Sequence, residues 1–274
     1  MINFLHTFNP QAVLFSFSII TIYWYGFIMV LGILSALLIT RNLTKYYQIS
    51  LETIFDLSFW LIIGGIIGAR IYDDFLQLPY YINHPLQSLQ IWKGGLAIHG
   101  GIIAGLLIIW WFASKHKINF WKLSAIFVPG LVIAQAIGRW GNYFNQEIFG
   151  LPTKLPWGIP INIINRPEIY INNVYFHPTF LYESLGCLII GSILLSLNYR
   201  AIKKNKLNQK FFIWSISLYL ILYSLLRFFL EFIRLDPAPE LFGLRWPQII
   251  SLIIIILACL LIFFTANVKN TQKK

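Results

Sequence analysis

Residues 126–150 read "IFVPGLVIAQAIGRWGNYFNQEIFG". The first part, 126–137, is apolar apart from one glutamine. The second part, 138–150, holds five hydrogen-bonding side chains: Arg139, Asn142, Asn145, Gln146 and Glu147. The apolar part predicts a helix that crosses a membrane. Because the polar residues come where that helix should leave the membrane, we interpret them as a site and not only as a turn.

The composition of the whole chain supports a membrane protein. Of its 274 residues, 58% are hydrophobic and only 11% are charged, whereas a soluble domain has about 25% charged residues. The net charge of +11 comes from basic residues that lie between hydrophobic runs. They form no basic patch beside stacking aromatic residues, so nucleic acid is not expected as a partner.

Seven apolar runs are each long enough to cross a hydrocarbon core of about 30 Å. We therefore predict an all-α polytopic membrane protein, a single transmembrane helical domain over residues 1–274 with an external loop or insert at about 145–176. The predicted spans are 17–40, 53–73, 94–113, 121–144, 177–198, 211–232 and 246–266. The glycine pairs Gly64/Gly68 and Gly101/Gly105 have the spacing of closely packed transmembrane helices.

The distribution of Lys and Arg gives the orientation of the spans. The more basic of the two alternating sets of connections comprises 41–50, 114–122, 199–210 and 267–274. It holds 13 of the 21 basic residues, whereas the other set holds five. Because basic loops stay in the cytoplasm, the N-terminus is predicted outside and the C-terminus in the cytoplasm. The first 40 residues contain no Lys or Arg, so a cleavable signal peptide is not expected.

This orientation gives each polar residue of a span a depth. In six spans the polar residues fall in the outer half of the membrane: Tyr25, Arg70, His99, Arg139, Tyr182, Glu183, Arg227 and Glu231. An ionisable residue inside a membrane indicates function by default. The alternative is that long side chains near helix ends reach the headgroups. This suits Arg70 or Arg234 taken singly, but not the shorter His99, Asn142 or Glu183. We predict one polar cavity that opens outward.

The sixth span carries a polar stripe. Tyr223, Arg227, Glu231 and Arg234 stand at i, i+4, i+8 and i+11, which is one face of a helix. Arg227 and Glu231 have the spacing of an ion pair, and a purely structural pair is the alternative to a functional one. Such a pair would leave Arg139 and Arg70 without partners. Surplus arginine at headgroup depth predicts binding of a phosphate, which arginine grips bidentately, on an anionic phospholipid.

Five motifs together resemble the bacterial prolipoprotein diacylglyceryl transferases. The stretch "GRWGNYFNQEIFG" matches the signature of that family, with Tyr143 where Phe is usual. The other four are "WYG" (24–26), "GGLAIHGG" (94–101), "HPTFLYE" (177–183) and "YSLLRFFLEFIR" (223–234). Their order along the chain and the seven predicted spans agree with the family.

The resemblance implies an activity and its partners. The family transfers the diacylglyceryl group of phosphatidylglycerol to the lipobox cysteine in the signal peptide of a prolipoprotein, which forms a thioether and releases glycerol phosphate. It works at the outer, periplasmic face of the bacterial cytoplasmic membrane, on membrane lipid. By position, the key arginines of the family fall on Arg139 and Arg227. Its other site residues fall on Tyr25, His99, Asn142, Glu147, Gly150, Tyr223, Glu231 and Arg234.

The implied chemistry is a displacement at carbon, in which sulfur attacks and a phosphate ester leaves. We expect Arg139 and Arg227 to bind the phosphate and take up its developing charge. His99 is the candidate base, because imidazole titrates in the useful range. The alternative is a histidine that hydrogen-bonds within the bundle or binds a headgroup. In that case Glu231 or Glu147 positions the arginines, and water or phosphate deprotonates the thiol.

Smaller roles complete the expected site. Asn142 and Tyr25 are expected to hydrogen-bond the headgroup or the backbone, and Gly138 and Gly150 to be backbone necessities. No His, Cys or Asp spacing matches a metal site and no dinucleotide fingerprint is present, so neither metal nor cofactor is expected. Both cysteines, Cys187 and Cys259, lie in apolar runs and are expected to be free.

Two other functions compete with a transferase. A transporter or channel would also use a charged outer vestibule, but the inner halves of the spans are nearly bare of charge and no inverted repeat is present. A metal-dependent lipid phosphotransferase would need clustered aspartates on helix faces. Asp73 and Asp74 are the only close pair in the sequence.

Overall fold

The computed structural model describes residues 2–18 and 20–271 and is predominantly helical. Its α-helices in chain order are α1 (Ile2–Thr7), α2 (Trp24–Tyr47), α3 (Leu51–Leu76), α4 (Leu78–Asn83), α5 (Ile98–Lys115), α6 (Phe120–Asn145), α7 (Thr179–Lys203), α8 (Gln209–Leu230) and α9 (Trp246–Thr271). Short strands form three antiparallel pairs: β1 (Val13–Phe17) with β2 (Ile20–Tyr23), β3 (Ile159–Pro160) with β4 (Tyr175–Phe176), and β5 (Glu240–Leu241) with β6 (Leu244–Arg245). Single 3-10 turns cover Pro85–Leu89, Ile91–Lys93, Ile163–Asn165 and Glu168–Tyr170.

Seven helices in the described part of the chain are long and apolar enough to cross a membrane. They are α2, α3, α5, α6, α7, α8 and the Trp246–Asn267 part of α9. This confirms the predicted all-α fold with seven transmembrane helices. The side of the membrane that each end faces stays a prediction.

The first span begins later than predicted. The expected span was 17–40, whereas α2 covers Trp24–Tyr47. The preceding residues form the β1–β2 hairpin, in which Phe17 pairs with Ile20 and Val13 with Tyr23. β-branched and aromatic residues dominate this run, and an apolar run alone cannot separate a strand from a helix.

The third span also begins late, at Ile98 instead of residue 94. Gly94 and Gly95 have φ values of 95° and 74°. A right-handed helix needs negative φ, and glycine is the residue that adopts these positive values without strain. The two glycines therefore begin a four-residue linker, 94–97, that ends just before α5.

The chain divides into two compact units. One comprises Met1–Ile39 with Phe127–Lys274, and the other comprises Thr40–Ile126. In the second unit α3 packs closely on α5: a Cβ atom at Gly64, Gly68 or Gly100 would collide with the facing helix. The predicted close packing is confirmed for Gly64 and Gly68. Gly101 and Gly105 make only ordinary contacts, and Gly100 takes the tight position in α5.

In the first unit α6, α7 and α8 share a buried apolar core that includes Val132, Cys187, Leu194 and Tyr219. A second core holds the connection from α6 to α7, residues 146–178, against α1. Its buried members are Leu5, Tyr143, Phe149, Ile159, Ile161, Phe176 and Phe180. This core fixes the end of α6, where the polar residues of the opening stretch lie. That the whole chain is one domain with a periplasmic insert stays a prediction.

Candidate active site

The end of α6 presents Arg139 to two other helices. Its Nη2 atom lies 2.8 Å from Glu183 Oε1 on α7 and donates to the hydroxyl of Tyr223 on α8 at 3.3 Å. Its Nη1 atom donates to Asn142 Oδ1, one turn later on α6, at 3.3 Å. One guanidinium thus joins three helices. The expectation that Arg139 has no partner within the protein is therefore wrong.

Glu183 is the shared acceptor of this cluster. Its side chain is only 2% exposed. Its Oε1 atom accepts from Tyr223 at 2.9 Å as well as facing Arg139. Its Oε2 atom lies 3.9 Å from Arg227 Nη1 and 3.8 Å from Arg234 Nη1. The sequence analysis placed Glu183 among the outer polar residues and in a motif, but it was not among the predicted site residues.

Glu231 is the second buried carboxylate. Its Oε2 atom lies 2.9 Å from Arg227 Nη2, which confirms the predicted ion pair. Its Oε1 atom lies 3.1 Å from Arg245 Nη1. Arg245 also donates to the backbone oxygens of Glu231, Arg234 and Asp236. Sequence reasoning missed Arg245, because a basic residue just before a span carries no signal beyond its charge.

The polar stripe of the sixth span is only partly helical. α8 ends at Leu230, so Arg234 lies beyond the helix. The prediction that Arg234 shares one helix face with Tyr223 and Arg227 is therefore wrong. Arg234 forms an isolated antiparallel bridge with Gly150 instead. A Cβ atom at Gly150 would lie 2.8 Å from the oxygen of Ile233, so this position needs glycine. A Cβ atom at Gly138 would meet only Met29 Sδ at 3.7 Å, so the expected backbone necessity there is wrong.

A short turn brings Glu147 back to α6. Gln146 and Ile148 have φ values of 51° and 56°, in the left-handed region. Asn142 Nδ2 consequently donates to Glu147 Oε1 at 2.7 Å. The ring of Tyr25 packs over Gly141, where a Cβ atom would lie 2.7 Å from Cδ2 of the tyrosine.

Asp236 shows the electrostatic field of the arginines. It lies outside the spans and accepts from Arg234 Nε at 2.7 Å. Burial acts to raise the pKa of Asp236, but the hydrogen bond from Arg234 and the charges of Arg234 and Arg245 outweigh it, and the pKa lies below its ordinary value. The arginines therefore favour the ionised form of Asp236.

Arg139 and Arg227 are two of the more exposed arginines of this cluster. Their side chains are 23% and 16% exposed, against 5% for Arg234. Arg227 Nη1 is buried and has no hydrogen-bond partner among the described residues, although it lies 3.9 Å from Glu183 Oε2. Arg245 is exposed to a similar degree, but backbone oxygens occupy its Nη1 and Nη2 atoms.

Arg70 and His99 belong to the Thr40–Ile126 unit. Arg70 is buried and lies 3.3 Å from Asp74 Oδ1 and 3.9 Å from Asp73 Oδ2, so the expectation that it has no partner is also wrong. His99 lies in the first turn of α5, and its exposed ring is centred 5.9 Å from that of Tyr72. The role of His99 stays a prediction.

Within the described residues, no group of three or more His, Cys, Asp or Glu side chains is arranged to hold a metal ion. Cys187 and Cys259 are both free, as predicted.

Comparisons with known proteins agree with the motifs. The family model described as prolipoprotein diacylglyceryl transferase matches residues 12–264. A protein of Nostoc sp. named phosphatidylglycerol–prolipoprotein diacylglyceryl transferase is 41% identical over 247 residues, which is 89% of this chain and 85% of the relative. Proteins of the same name from Acaryochloris marina and Prochlorococcus marinus subsp. pastoris are 41% and 36% identical over 89% and 97% of this chain, and 87% and 95% of the relatives. The chain therefore belongs to the prolipoprotein diacylglyceryl transferase family.

Proposed function

We propose that this protein joins the diacylglyceryl group of phosphatidylglycerol to the lipobox cysteine in the signal peptide of a prolipoprotein. A carbon–sulfur bond forms, the carbon–oxygen bond to phosphate breaks, and glycerol phosphate leaves. This is the first step of lipoprotein maturation. Family membership and the names of the relatives support the reaction, and seven apolar helices support a multi-pass membrane protein.

The location that we propose is the bacterial cytoplasmic membrane, with the site facing the outer leaflet. The support is the uneven distribution of basic residues among the loops. With this orientation, the polar ends of α6 and α8 lie at the level of the lipid headgroups. Phosphatidylglycerol carries its phosphate at that level.

The single observation that carries the phosphate-binding role is the meeting of Arg139 and Arg227 at one carboxylate. The two arginines come from α6 and α8, and both lie beside Glu183. As the carbon–oxygen bond breaks, charge develops on the phosphate ester, and guanidiniums fixed beforehand stabilise that charge at no cost of reorganisation. Each contact lowers the barrier by on the order of 3 kcal/mol, as one oxyanion-hole donor does.

The remaining residues support these two. Glu183 and Glu231 hold the arginines in place through the ion pairs described above, and Tyr223 and Arg234 complete the cluster. Asn142 donates a hydrogen bond to Glu147 and accepts one from Arg139, which fixes the position of the arginine. Tyr25 and Gly150 shape the end of α6 for the headgroup.

His99 is the base that we propose for the thiol. A free cysteine has a pKa of about 8.5, so it must lose a proton to attack rapidly. Imidazole accepts that proton in the physiological range. If His99 is not the base, the proton passes to water or to the departing phosphate.

The experiment uses purified protein, phosphatidylglycerol labelled in its acyl chains, and a lipobox peptide, with a peptide that has serine for the cysteine as the blank. We expect Arg139→Lys and Arg227→Lys to lower turnover on the order of 100-fold. Lysine keeps the charge but cannot donate two parallel hydrogen bonds to one phosphate, as a guanidinium does. Arg200→Lys is the matched control, since Arg200 is exposed at the other end of α7. Binding of the lipid should weaken together with turnover. An Arg139 variant that binds the lipid normally yet does not turn over contradicts the phosphate role.

A further inference from the structure

We propose that Arg70 is the positioning residue that holds His99 in place, through the glycine linker before α5. The inference rests on the proposed role of His99 as the base. It uses only residues of the Thr40–Ile126 unit, in which α3 carries Arg70 and α5 carries His99.

Every nitrogen of the Arg70 guanidinium donates a hydrogen bond. Nε donates to the oxygen of Ser88 at 2.7 Å, and Nη2 donates to the oxygen of Gln87. Nη1 donates to the oxygens of Gly94 and Gly95, both at 2.9 Å. A buried guanidinium that is bonded to four backbone oxygens fixes those segments of the chain relative to α3.

Two acidic residues balance the positive charge of the buried guanidinium. Asp74 Oδ1 lies 3.3 Å from Arg70 Nε, and Asp73 Oδ2 lies 3.9 Å from Nη1. The hydroxyl of Ser88 donates to Asp74, and the ring of Tyr81 lies under the guanidinium. The charge of Arg70 is therefore balanced within its own unit, which leaves this arginine a role other than holding an anion.

The backbone that Arg70 holds leads directly to His99. Gly94 and Gly95 are two of the four residues before α5, and both have positive φ. A Cβ atom at Gly95 would lie 2.7 Å from Asp73 Oδ2 and closer still to Arg70 Nη1, so the linker runs against the ion pair itself. Ala97, the last residue before α5, donates its N–H to the oxygen of Ala69 at 3.1 Å.

The first turn of α5 is then seated on α3. A Cβ atom at Gly100 would collide with the oxygen of Gly68 and with Cβ of Tyr72. The ring of His99 lies beside that of Tyr72. One turn of α3, residues 68–72, thus sets where the first turn of α5 begins, and Arg70 is the polar part of that contact. A base displaced by about 1 Å loses on the order of 100-fold in rate.

The main test is a double-mutant cycle of Arg70→Lys and His99→Gln. Lysine keeps the charge but places all its donors on one atom, so it cannot reach the four oxygens together. We expect Arg70→Lys alone to lower kcat on the order of 100-fold, with the KM for phosphatidylglycerol unchanged. In the His99→Gln background the same change should have less than about a twofold effect, because the base that it positions is already absent.

A second pair of variants tests the linker without touching Arg70. Gly95→Ala must displace the linker, and it should lower kcat in the same way and likewise lose its effect in the His99→Gln background. Gly65→Ala is the matched control, since a Cβ atom there has no neighbour within 4 Å. Arg41→Gln, at an exposed arginine of the same unit, controls for the loss of a charge. If Arg70→Lys does not fold, the Gly95→Ala cycle decides.

The outcomes separate the two proposals. Full activity of His99→Gln ends the role of His99 as the base and the positioning role with it, while phosphate binding by Arg139 and Arg227 stands on its own test. A His99→Gln variant with low but measurable activity, in which Arg70→Lys or Gly95→Ala still lowers kcat by the same factor as in the unaltered protein, overturns the positioning role alone. Normal kcat in both Arg70→Lys and Gly95→Ala also overturns it.

Discussion

Glu183 is the residue on which the arginine cluster depends. A carboxylate buried in a membrane helix is stable only when it is paired. Glu183 is paired by Arg139, by the hydroxyl of Tyr223 and, more distantly, by Arg227 and Arg234. It sets the spacing of the guanidiniums that we propose bind the phosphate.

The change Glu183→Gln tests this role. Glutamine has the same shape but no charge, so the guanidiniums around it would repel one another without compensation. We expect a loss of about 3–5 kcal/mol in stability and of on the order of 100-fold in turnover. Thermal unfolding in detergent and the transfer assay measure these effects. Glu240→Gln, at an exposed position of β5, should change neither. Unchanged melting and turnover in Glu183→Gln would falsify the shared-acceptor role.

Close packing of helices places these residues at the scale of the elements. In the first unit α6 lies against the middle of α2, where a Cβ atom at Gly130 would be 2.7 Å from the oxygen of Ala36. Further along the same helix, Gly138 has ordinary space beside Met29. A Cβ atom therefore fits at Gly138 but not at Gly130, although both glycines belong to α6.

We predict opposite effects of alanine at these two glycines. Gly130→Ala must move α6 away from a backbone oxygen and should lower stability by about 1–3 kcal/mol. Gly138→Ala should be neutral or stabilise by up to about 1 kcal/mol, because alanine restricts the unfolded chain and favours the helix. Melting temperatures of the two variants in the same detergent measure the difference. Equal effects of the two changes would contradict this account of the packing.

At the scale of the whole molecule, orientation in the membrane follows from charge. The loops at 114–122 and 199–210 are rich in lysine and arginine, whereas the connection at 146–178 is not. Because moving basic residues across the membrane is costly, we expect the first two loops in the cytoplasm. The connection at 146–178 is then expected outside.

Labelling with a membrane-impermeant thiol reagent measures this orientation. Cys187 is buried and Cys259 is exposed, so the background carries Cys259→Ser. Ile164→Cys, at a residue 86% exposed between α6 and α7, should be labelled in intact spheroplasts. Lys206→Cys, at an exposed residue between α7 and α8, should be labelled only after permeabilisation. The reverse pattern would overturn the orientation.

The sequence by itself determined the class of the protein, the number of its spans and most of the candidate site residues. These follow from local properties: the length of apolar runs, the order of motifs, and i, i+4 spacing, which predicted the Arg227–Glu231 pair. A resemblance in five motifs named the family. The sequence misplaced the start of the first span, because strand and helix look alike in a short apolar run.

Only the tertiary structure decided which charges meet. Arg139 and Arg70 both looked unpaired in sequence, yet one pairs with Glu183 and the other with Asp74 and four backbone oxygens. Arg245 contributes to the cluster from β6, and Arg234 contributes from beyond the end of α8. The reason is physical: an ion pair between helices depends on how they pack and turn in space, and side chains 44 residues apart, such as Arg139 and Glu183, carry no local pattern that reports their distance.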